Sequence, residues 1–126
     1  MVVLDTSALI YWTLDPDRLS QTAAEAIEKA GRVCFSSISI WEIGVKVKKG
    51  KLVLPLSVGD FAKNLEWTDR VEILSVDLRT WVGNLELDWD HRDPADRIIV
   101  TTAARHASPI VTSNVAIRNF YSQTVW

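Results

Sequence analysis

The chain begins Met1-Val2-Val3-Leu4-Asp5-Thr6-Ser7, an apolar run that ends abruptly in one acid and two hydroxyl residues. The uninterrupted apolar run predicts a short strand buried on both faces, as the strands of parallel sheets are. Asp5 would then lie at the carboxyl end of that strand, where ligands bind in open α/β sheets. The stretch alone leaves two roles open for Asp5. It could bind a metal or a proton, or it could cap a helix that starts near Ser7.

The rest of the sequence alternates predicted strands with predicted helices. Alternation of this kind predicts an α/β fold in which helices cover both faces of a mainly parallel sheet of four or five strands. No repeat, low-complexity segment or linker interrupts the chain, so we expect a single domain over residues 1–126. The further strands are predicted at 33–35, 71–76, 109–112 and 124–126, and the helices at 8–12 (or a turn), 21–30, 40–49, 58–67, 77–87, 95–107 and 114–121.

Composition narrows the class of protein. Hydrophobic residues make up 48% of the chain and charged residues 24%, which is typical of a soluble globular domain. No apolar run approaches the roughly 20 residues of a membrane span, and residues 1–10 lack the features of a signal peptide. We therefore expect a cytoplasmic protein with no membrane partner. The net charge of −2 argues against non-specific nucleic-acid binding by overall charge, but a metal nuclease needs acids in its site.

Four acids fall where the chain leaves a strand or starts a helix at the carboxyl edge of the predicted sheet: Asp5, Glu42, Asp93 and Asp96. Each also has a capping alternative. Glu42 follows Ser39 by three residues, which fits a capping box, and Asp93-Pro94 fits an N-cap followed by the first helical residue. Taken together, the shared placement favours a site, because carboxylates that converge on one crevice repel each other unless a cation neutralises them.

Hard oxygen ligands of this kind suit Mg²⁺ or Mn²⁺. His91 and His106 are too few and too far apart in the sequence for a zinc site. The chemistry that follows is metal-assisted hydrolysis of a phosphodiester, with one carboxylate orienting or deprotonating the attacking water. Thr6 and Ser7 are predicted to support the ligating carboxylates through hydrogen bonds.

These residues resemble a PIN domain, and specifically a toxin ribonuclease of the VapC type. The order, spacing and length of the matching pieces agree across essentially the whole chain. The pieces are residues 3–7, Ser39-Ile40-Trp41-Glu42-Ile43, His91-Arg92-Asp93-Pro94-Ala95-Asp96-Arg97-Ile98-Ile99 and Val111-Thr112-Ser113-Asn114.

The resemblance implies a three-layer α/β/α sandwich, Mg²⁺-dependent endoribonuclease activity with Mn²⁺ as a substitute, a homodimer and a cognate VapB-type antitoxin. It assigns metal binding to Asp5 and Asp96, with Glu42 as an acidic partner. Asp93 either joins the catalytic acids or only caps its helix. The family usually has a further acid where this chain has Asn114, whose carbonyl can still accept or ligate but carries no charge.

Two other functions compete with this interpretation. An aspartyl phosphatase with Asp5 as nucleophile needs a second acid two residues later, and that position is Ser7. A non-enzymatic domain of the same fold, which binds RNA or an antitoxin but cuts poorly, stays open as an alternative because of Asn114.

Basic and aromatic residues suggest where partners bind. The lysine cluster is either a solvated helix end or a contact for the RNA backbone beside the acids. Two arginines that flank the acidic motif could contact the RNA backbone in the same way. Arg97 has a further alternative, pairing with a site carboxylate. Trp41 and Trp81 are predicted to be core residues, whereas Trp12 and Trp67 are candidates for a partner surface. The predicted RNA contacts are Lys46, Lys48, Lys49 and Lys51 of the cluster, with Arg92 and Arg97.

Overall fold

The fold is built on a five-stranded sheet in which every neighbouring pair of strands is parallel. The computed structural model describes residues 1–126. The strand order is β3-β2-β1-β4-β5, so the first strand lies in the centre of the sheet. The strands are β1 (Val2–Leu4), β2 (Val33–Ser36), β3 (Val71–Leu74), β4 (Ile110–Val111) and β5 (Thr124–Val125).

Seven helices connect the strands, each close to where the sequence predicts it. The first helix is longer than predicted, because Asp5 caps it and it therefore begins at Thr6. The third helix begins two residues earlier than predicted. The helices are α1 (Thr6–Leu14), α2 (Gln21–Lys29), α3 (Ile38–Lys48), α4 (Val58–Glu66), α5 (Leu78–Glu86), α6 (Pro94–Arg105) and α7 (Val115–Phe120), with a 3₁₀ turn at Pro16–Arg18.

Alternating residues of the strands contribute side chains to two separate cores, one on each face of the sheet. Neighbouring residues of a strand point to opposite faces, and each buried aliphatic side chain stabilises the fold by about 1.5–3 kcal/mol. The three-layer α/β/α sandwich is therefore confirmed. One core joins Leu4 and Phe35 to Leu9, Ile27, Ile43 and Phe61 of helices α1 to α4, and the other joins Val3, Cys34 and Ile110 to Ile99, Val100 and Ala103 of α6 and Ile117 of α7.

The strand order reverses beside β1, since β2 lies on one side of it and β4 on the other. In open parallel sheets a crevice forms at such a reversal, outside the carboxyl ends of the strands. Asp5 leaves β1 at this edge, and its backbone N–H still bonds to the Val111 carbonyl of β4 at 3.2 Å. Thr112 leaves β4 beside it. The topology thus brings together side chains that are more than 100 residues apart in the chain.

Two predictions from the sequence are wrong. Ser39 is not the cap of α3, because the helix begins at Ile38 and the buried Ser39 is its second residue. Glu42 therefore lies on the second turn of α3 and caps nothing. Trp41 and Trp81 are not core residues, since their exposed fractions are 60% and 48%. Separately, none of the helices has the length and apolarity that crossing a membrane requires.

Candidate active site

Asp5 combines the two roles that the sequence leaves open. Its Oδ1 accepts a hydrogen bond from the Ala8 backbone N–H at 2.8 Å, which caps α1. Its Oδ2 accepts a hydrogen bond from the Thr112 hydroxyl. The residue is only 4% exposed, and this burial raises the pKa of its carboxyl from 3.8 to about 6, with smaller contributions from the charges of Asp96 and Glu42. The cap therefore holds a carboxylate that resists ionisation.

Asp96 lies on the first turn of α6 and faces the same crevice. Its Oδ2 is 2.8 Å from Nε2 of His91 and 3.2 Å from Nδ2 of Asn114. Burial raises the pKa of its carboxyl, the charge of Asp93 adds to the rise, and the His91 hydrogen bond opposes it. Asp93 itself is exposed and caps α6, accepting from the Asp96 N–H at 2.9 Å.

Glu42 approaches the crevice from α3. Burial raises the pKa of its carboxyl, the charges of Asp93 and Asp96 add to the rise, and the Thr6 hydroxyl and Lys46 oppose it. Three carboxyls from three different elements therefore share one cause of a raised pKa and also repel one another. Clusters of perturbed carboxyls in a cleft are typical of functional sites.

The supporting hydroxyls are partly different from those predicted. Thr6 forms a buried hydrogen bond of 2.9 Å with Ser39, which fixes α1 against α3. Ser7 makes no side-chain hydrogen bond. The Thr112 hydroxyl bonds directly to the carboxylate of Asp5, and its oxygen accepts from the Asn114 backbone N–H at 2.9 Å. Asn114 caps α7 through Oδ1, at 2.9 Å from the Ala116 nitrogen, while its Nδ2 reaches Asp96.

The lysine cluster divides in two. Lys46, Lys49 and Lys51 line a crevice together with Glu42 and Asp93. Lys48 is exposed and does not line this crevice. Only part of the cluster therefore has the geometry of a backbone contact beside the acids.

The two predicted arginines also differ. Arg92 is exposed and makes no ion pair. Arg97 is bonded internally, to the side chain of Asn84 at 3.0 Å and to the carbonyls of Asn84 at 2.7 Å and His91 at 3.1 Å, as well as to the carbonyls of Leu87 and Trp89. Its guanidinium thus braces the 87–93 loop, and we remove Arg97 from the predicted RNA contacts. It does not pair with a site carboxylate either.

The donor set fits a hard divalent cation. Asp5, Glu42 and Asp96 are partly or fully buried, their pKa values are raised, and none pairs with a lysine or arginine. A cation would relieve both the burial cost and the mutual repulsion. No three acidic, histidine or cysteine side chains are close enough to hold one ion as they stand. Two carboxylates with water completing the shell is an arrangement that Mg²⁺ accepts.

Comparison with known proteins identifies the family. The sequence model of the PIN domain matches residues 2–122. The chain belongs to the PIN domain family. Asp5, Glu42 and Asp96 approach the crevice at the carboxyl edge of the sheet of this PIN domain.

Relatives of this PIN domain agree over nearly their whole length. Ribonuclease VapC22 of Mycobacterium tuberculosis is 28% identical over 128 residues, which cover 99% of this chain and 98% of that protein. A toxin–antitoxin complex from Klebsiella pneumoniae contains a chain of the same fold, with a TM-score of 0.70, 19% identity and coverage of 100% and 97%. VapBC2 from Rickettsia felis, bound to a DNA fragment from its promoter, gives a TM-score of 0.69, 16% identity and coverage of 100% of both chains.

Sequence reasoning missed three residues of this PIN domain that contact the acids or their supports: Ser39, His91 and Thr112. Thr112 follows a strand adjacent to β1, and its position at the carboxyl edge is a signal that could have found it. His91 precedes Asp93 by two residues within the acidic motif. Its contact with Asp96 was missed because histidine was considered only as a zinc ligand. Ser39 carries no comparable signal, because its position depends on where α3 begins.

Proposed function

We propose that this PIN domain, acting as one unit over residues 1–126, is a metal-dependent endoribonuclease toxin of a toxin–antitoxin pair. The single observation that carries the proposal is the convergence of Asp5, Glu42 and Asp96, each with a raised pKa, at the reversal of the strand order. The 28% identity to Ribonuclease VapC22 supports ribonuclease activity. The proposal includes action in the cytoplasm, where the protein would meet an RNA substrate.

Each acid has a distinct role in the proposal. Asp5 and Asp96 hold the cation, which is Mg²⁺ with Mn²⁺ as a substitute. When bound, the cation polarises the phosphate oxygens and lowers the pKa of water. Glu42, whose pKa is raised by burial, accepts the proton of the attacking water, because a base works best with a pKa near the operating pH. Asp93 caps α6 and adds negative charge at the rim.

Thr112 and Asn114 support these acids. The Thr112 hydroxyl holds Oδ2 of Asp5, and the Asn114 amide donates to Oδ2 of Asp96. Both contacts fix carboxylate orientation before substrate arrives, which lowers the cost of reaching the productive geometry. Thr6 supports Glu42, because its hydroxyl lowers the pKa of that carboxyl, and it bonds to Ser39 rather than to Asp5.

The RNA backbone passes along the crevice rim in this proposal. Lys46, Lys49 and Lys51 line it together with Asp93, and Arg92 is exposed beside the same acidic motif. Phosphate contacts of this kind position the strand without reading its sequence. Unpaired RNA is the expected form, because protein recognition of RNA usually targets loops and single strands.

A weaker second function has one observation in its favour. Asn114 donates to Asp96 where the family usually has an acid, so the site carries one negative charge fewer. A PIN domain that binds RNA or an antitoxin but cleaves slowly would have this feature. Cleavage rates with and without the missing charge separate the two functions.

A groove at the far end of α1 is the proposed binding site of the antitoxin partner. The lining of the groove includes the apolar residues Trp12, Leu14, Leu56, Phe61 and Leu65. We propose that a peptide segment of a VapB-type antitoxin docks here, since an amphipathic segment can bury its apolar face in such a groove. The similarity to a toxin–antitoxin complex from Klebsiella pneumoniae supports a partner of this class. Trp67 lies nearby in sequence and is exposed.

The outer face of α5 supports a homodimer. It carries an apolar stripe at helical spacing, formed by Leu78, Trp81, Val82 and Leu85, with Leu78 and Leu85 exposed to 77% and 80%. The inner face packs against α6 so closely that a Cβ on Gly83 would come within 2.9 Å of Thr101 Cγ2. The stripe therefore cannot turn inward to be covered.

The α5 stripe is also symmetric along the helix. Its spacing reads the same from either end, so a twofold axis between Trp81 and Val82 would place Leu78 of one copy against Leu85 of its partner. A twofold interface requires self-complementarity of this kind. An apolar groove lined by Ile38, Trp41 and Trp81 continues the same surface. We therefore propose antiparallel packing of α5 against the α5 of a second copy.

Expression of the protein alone in cells tests the proposed function. RNA ends are mapped after induction, and the purified protein is then assayed on the same RNA with Mg²⁺ and with EDTA. We expect cleavage at the same positions in cells and with purified protein in Mg²⁺. EDTA should abolish the cleavage by purified protein. Intact RNA in both settings would leave only the binding function.

A further inference from the structure

Three aromatic rings form a stacked column beside the site. Phe120, the last residue of α7, stacks on Trp89 with 4.6 Å between ring centroids and 8° between planes. Trp89 stacks in turn on His91, again at 4.6 Å and with 28° between planes. Stacked pairs contribute about 0.5–1.5 kcal/mol beyond their buried area, so the column holds the imidazole ring in one place.

The loop that carries this column is fixed from behind by Arg97. Its guanidinium bonds to the carbonyls of Trp89 and His91, the two residues whose rings stack, and to Asn84 at the end of α5. A side chain that bonds to four carbonyls restrains the backbone on both sides of Trp89. Both the ring and the backbone of His91 are therefore held in place.

The column ends on one oxygen of Asp96. His91 Nε2 lies 2.8 Å from Oδ2, and a carboxylate can only accept, so the imidazole is the donor. Asn114 donates to the same oxygen at 3.2 Å. Oδ1 of Asp96 makes no hydrogen bond. Helix α7 carries both supports, since Asn114 caps its first turn and Phe120 ends its last.

We propose that the Phe120–Trp89–His91 column positions Asp96, holding Oδ2 so that Oδ1 is presented to a divalent cation, and thereby sets the affinity of the site for that ion. The inference rests on the proposed metal-dependent function. His91 acts through its hydrogen bond to Asp96, and Phe120 acts only through His91. Such outer contacts typically change metal affinity by about 10–100-fold.

Calorimetric titration of Mn²⁺ into the purified full chain, without RNA and at one fixed pH, tests the column. His91→Phe keeps the stacked ring but removes the donor, and it should weaken Mn²⁺ binding about tenfold. His91→Gln places an amide donor near the same point and should recover most of the loss. Val115→Ala, an exposed change on the same helix α7, should leave binding unchanged.

A double-mutant cycle separates positioning from general damage. Phe120→Leu keeps apolar bulk but removes the ring, and it should weaken Mn²⁺ binding by less than the change at His91 does. In the His91→Phe background the same change should have no further effect, because the donor through which it acts is gone. Additive losses of Mn²⁺ affinity in the double variant, or equal affinity of His91→Phe and the parent, would overturn this inference but not the proposed function. A parent that binds no Mn²⁺ would overturn the proposed metal site as well.

Discussion

Thr112 and Asp5 meet across the ends of two adjacent parallel strands, where the threonine hydroxyl donates to the buried carboxylate. The two residues are 107 positions apart in the chain, and only the parallel pairing of β1 with β4 brings them together. The contact lowers the pKa of Asp5, yet burial outweighs it and leaves that pKa at about 6. Because the buried carboxyl is ionised at neutral pH in spite of its raised pKa, it lowers the stability of the folded state there.

Asp5→Asn should therefore raise the stability of the metal-free protein. Below pH 3.8 Asp5 is protonated in both states, whereas between 3.8 and about 6 the folded state binds more protons, so the free energy of unfolding falls as pH rises. Above that window the full cost remains, on the order of 1–3 kcal/mol. An asparagine keeps the cap of α1 and removes this cost.

Denaturant unfolding in EDTA at neutral pH measures the change. Asp17→Asn, at an exposed acid far from the crevice in sequence, is the control and should behave as the parent. Adding Mn²⁺ should stabilise the parent more than Asp5→Asn. A less stable Asp5→Asn protein would show that ionised Asp5 is a favourable cap and not a strained ligand.

The lysines should separate according to their position. Changing Lys46, Lys49 and Lys51 together to Glu should raise KM. It should also reduce the slope of log affinity for RNA against log salt concentration by about 2, because each lost phosphate contact on a single strand reduces that slope by about 0.7. Lys48→Glu makes one such charge reversal outside the crevice and should alter the slope little. Filter binding in EDTA over a range of salt concentrations measures both. Equal slopes for the triple variant and the parent would assign the cluster to a solvated helix end.

Asn114→Asp should raise the cleavage rate about tenfold or more, equivalent to about 1.4 kcal/mol of barrier. One oxygen of the new carboxylate keeps the cap of α7, and the other adds charge beside Asp96, which favours binding of divalent ions. Expression without an antitoxin should also become more toxic. Asn114→Ser keeps a capping oxygen but adds no charge, so it should not accelerate cleavage. Unchanged rate, metal dependence and toxicity in Asn114→Asp would limit position 114 to capping.

The sequence predicts the order of strands and helices well, because short buried runs indicate strands and amphipathic segments indicate helices. Asp5, Asp93 and Asp96 could be placed because a strand end or a helix start fixes a side chain locally. Trp81 could not, since helical spacing marks an apolar face without saying whether anything covers it. The role of His91 depends on a loop held by Arg97 and on a ring from α7, and no local pattern encodes either contact.

The α5 stripe should control the oligomeric state. Leu85→Glu places a charge on an exposed position of the stripe, so it should leave the fold intact and give a monomer. Val115→Glu puts the same charge on another exposed apolar residue, outside the stripe, and should leave the dimer unchanged. Analytical ultracentrifugation at micromolar concentration should give twice the 14.2 kDa chain mass for the parent. A monomeric parent, or a dimer that tolerates Leu85→Glu, would contradict this interface.

Single-turnover cleavage of an unpaired RNA, followed across a Mg²⁺ titration, tests the catalytic site most directly. The parent is compared with Asp5→Asn, Asp96→Asn and the exposed control Asp17→Asn, each verified as folded. The parent and Asp17→Asn should cleave in proportion to bound Mg²⁺, and the two site variants should be slower by at least about 100-fold, or 2.7 kcal/mol. Folded Asp5→Asn protein that cleaves at the rate of the parent would contradict the account.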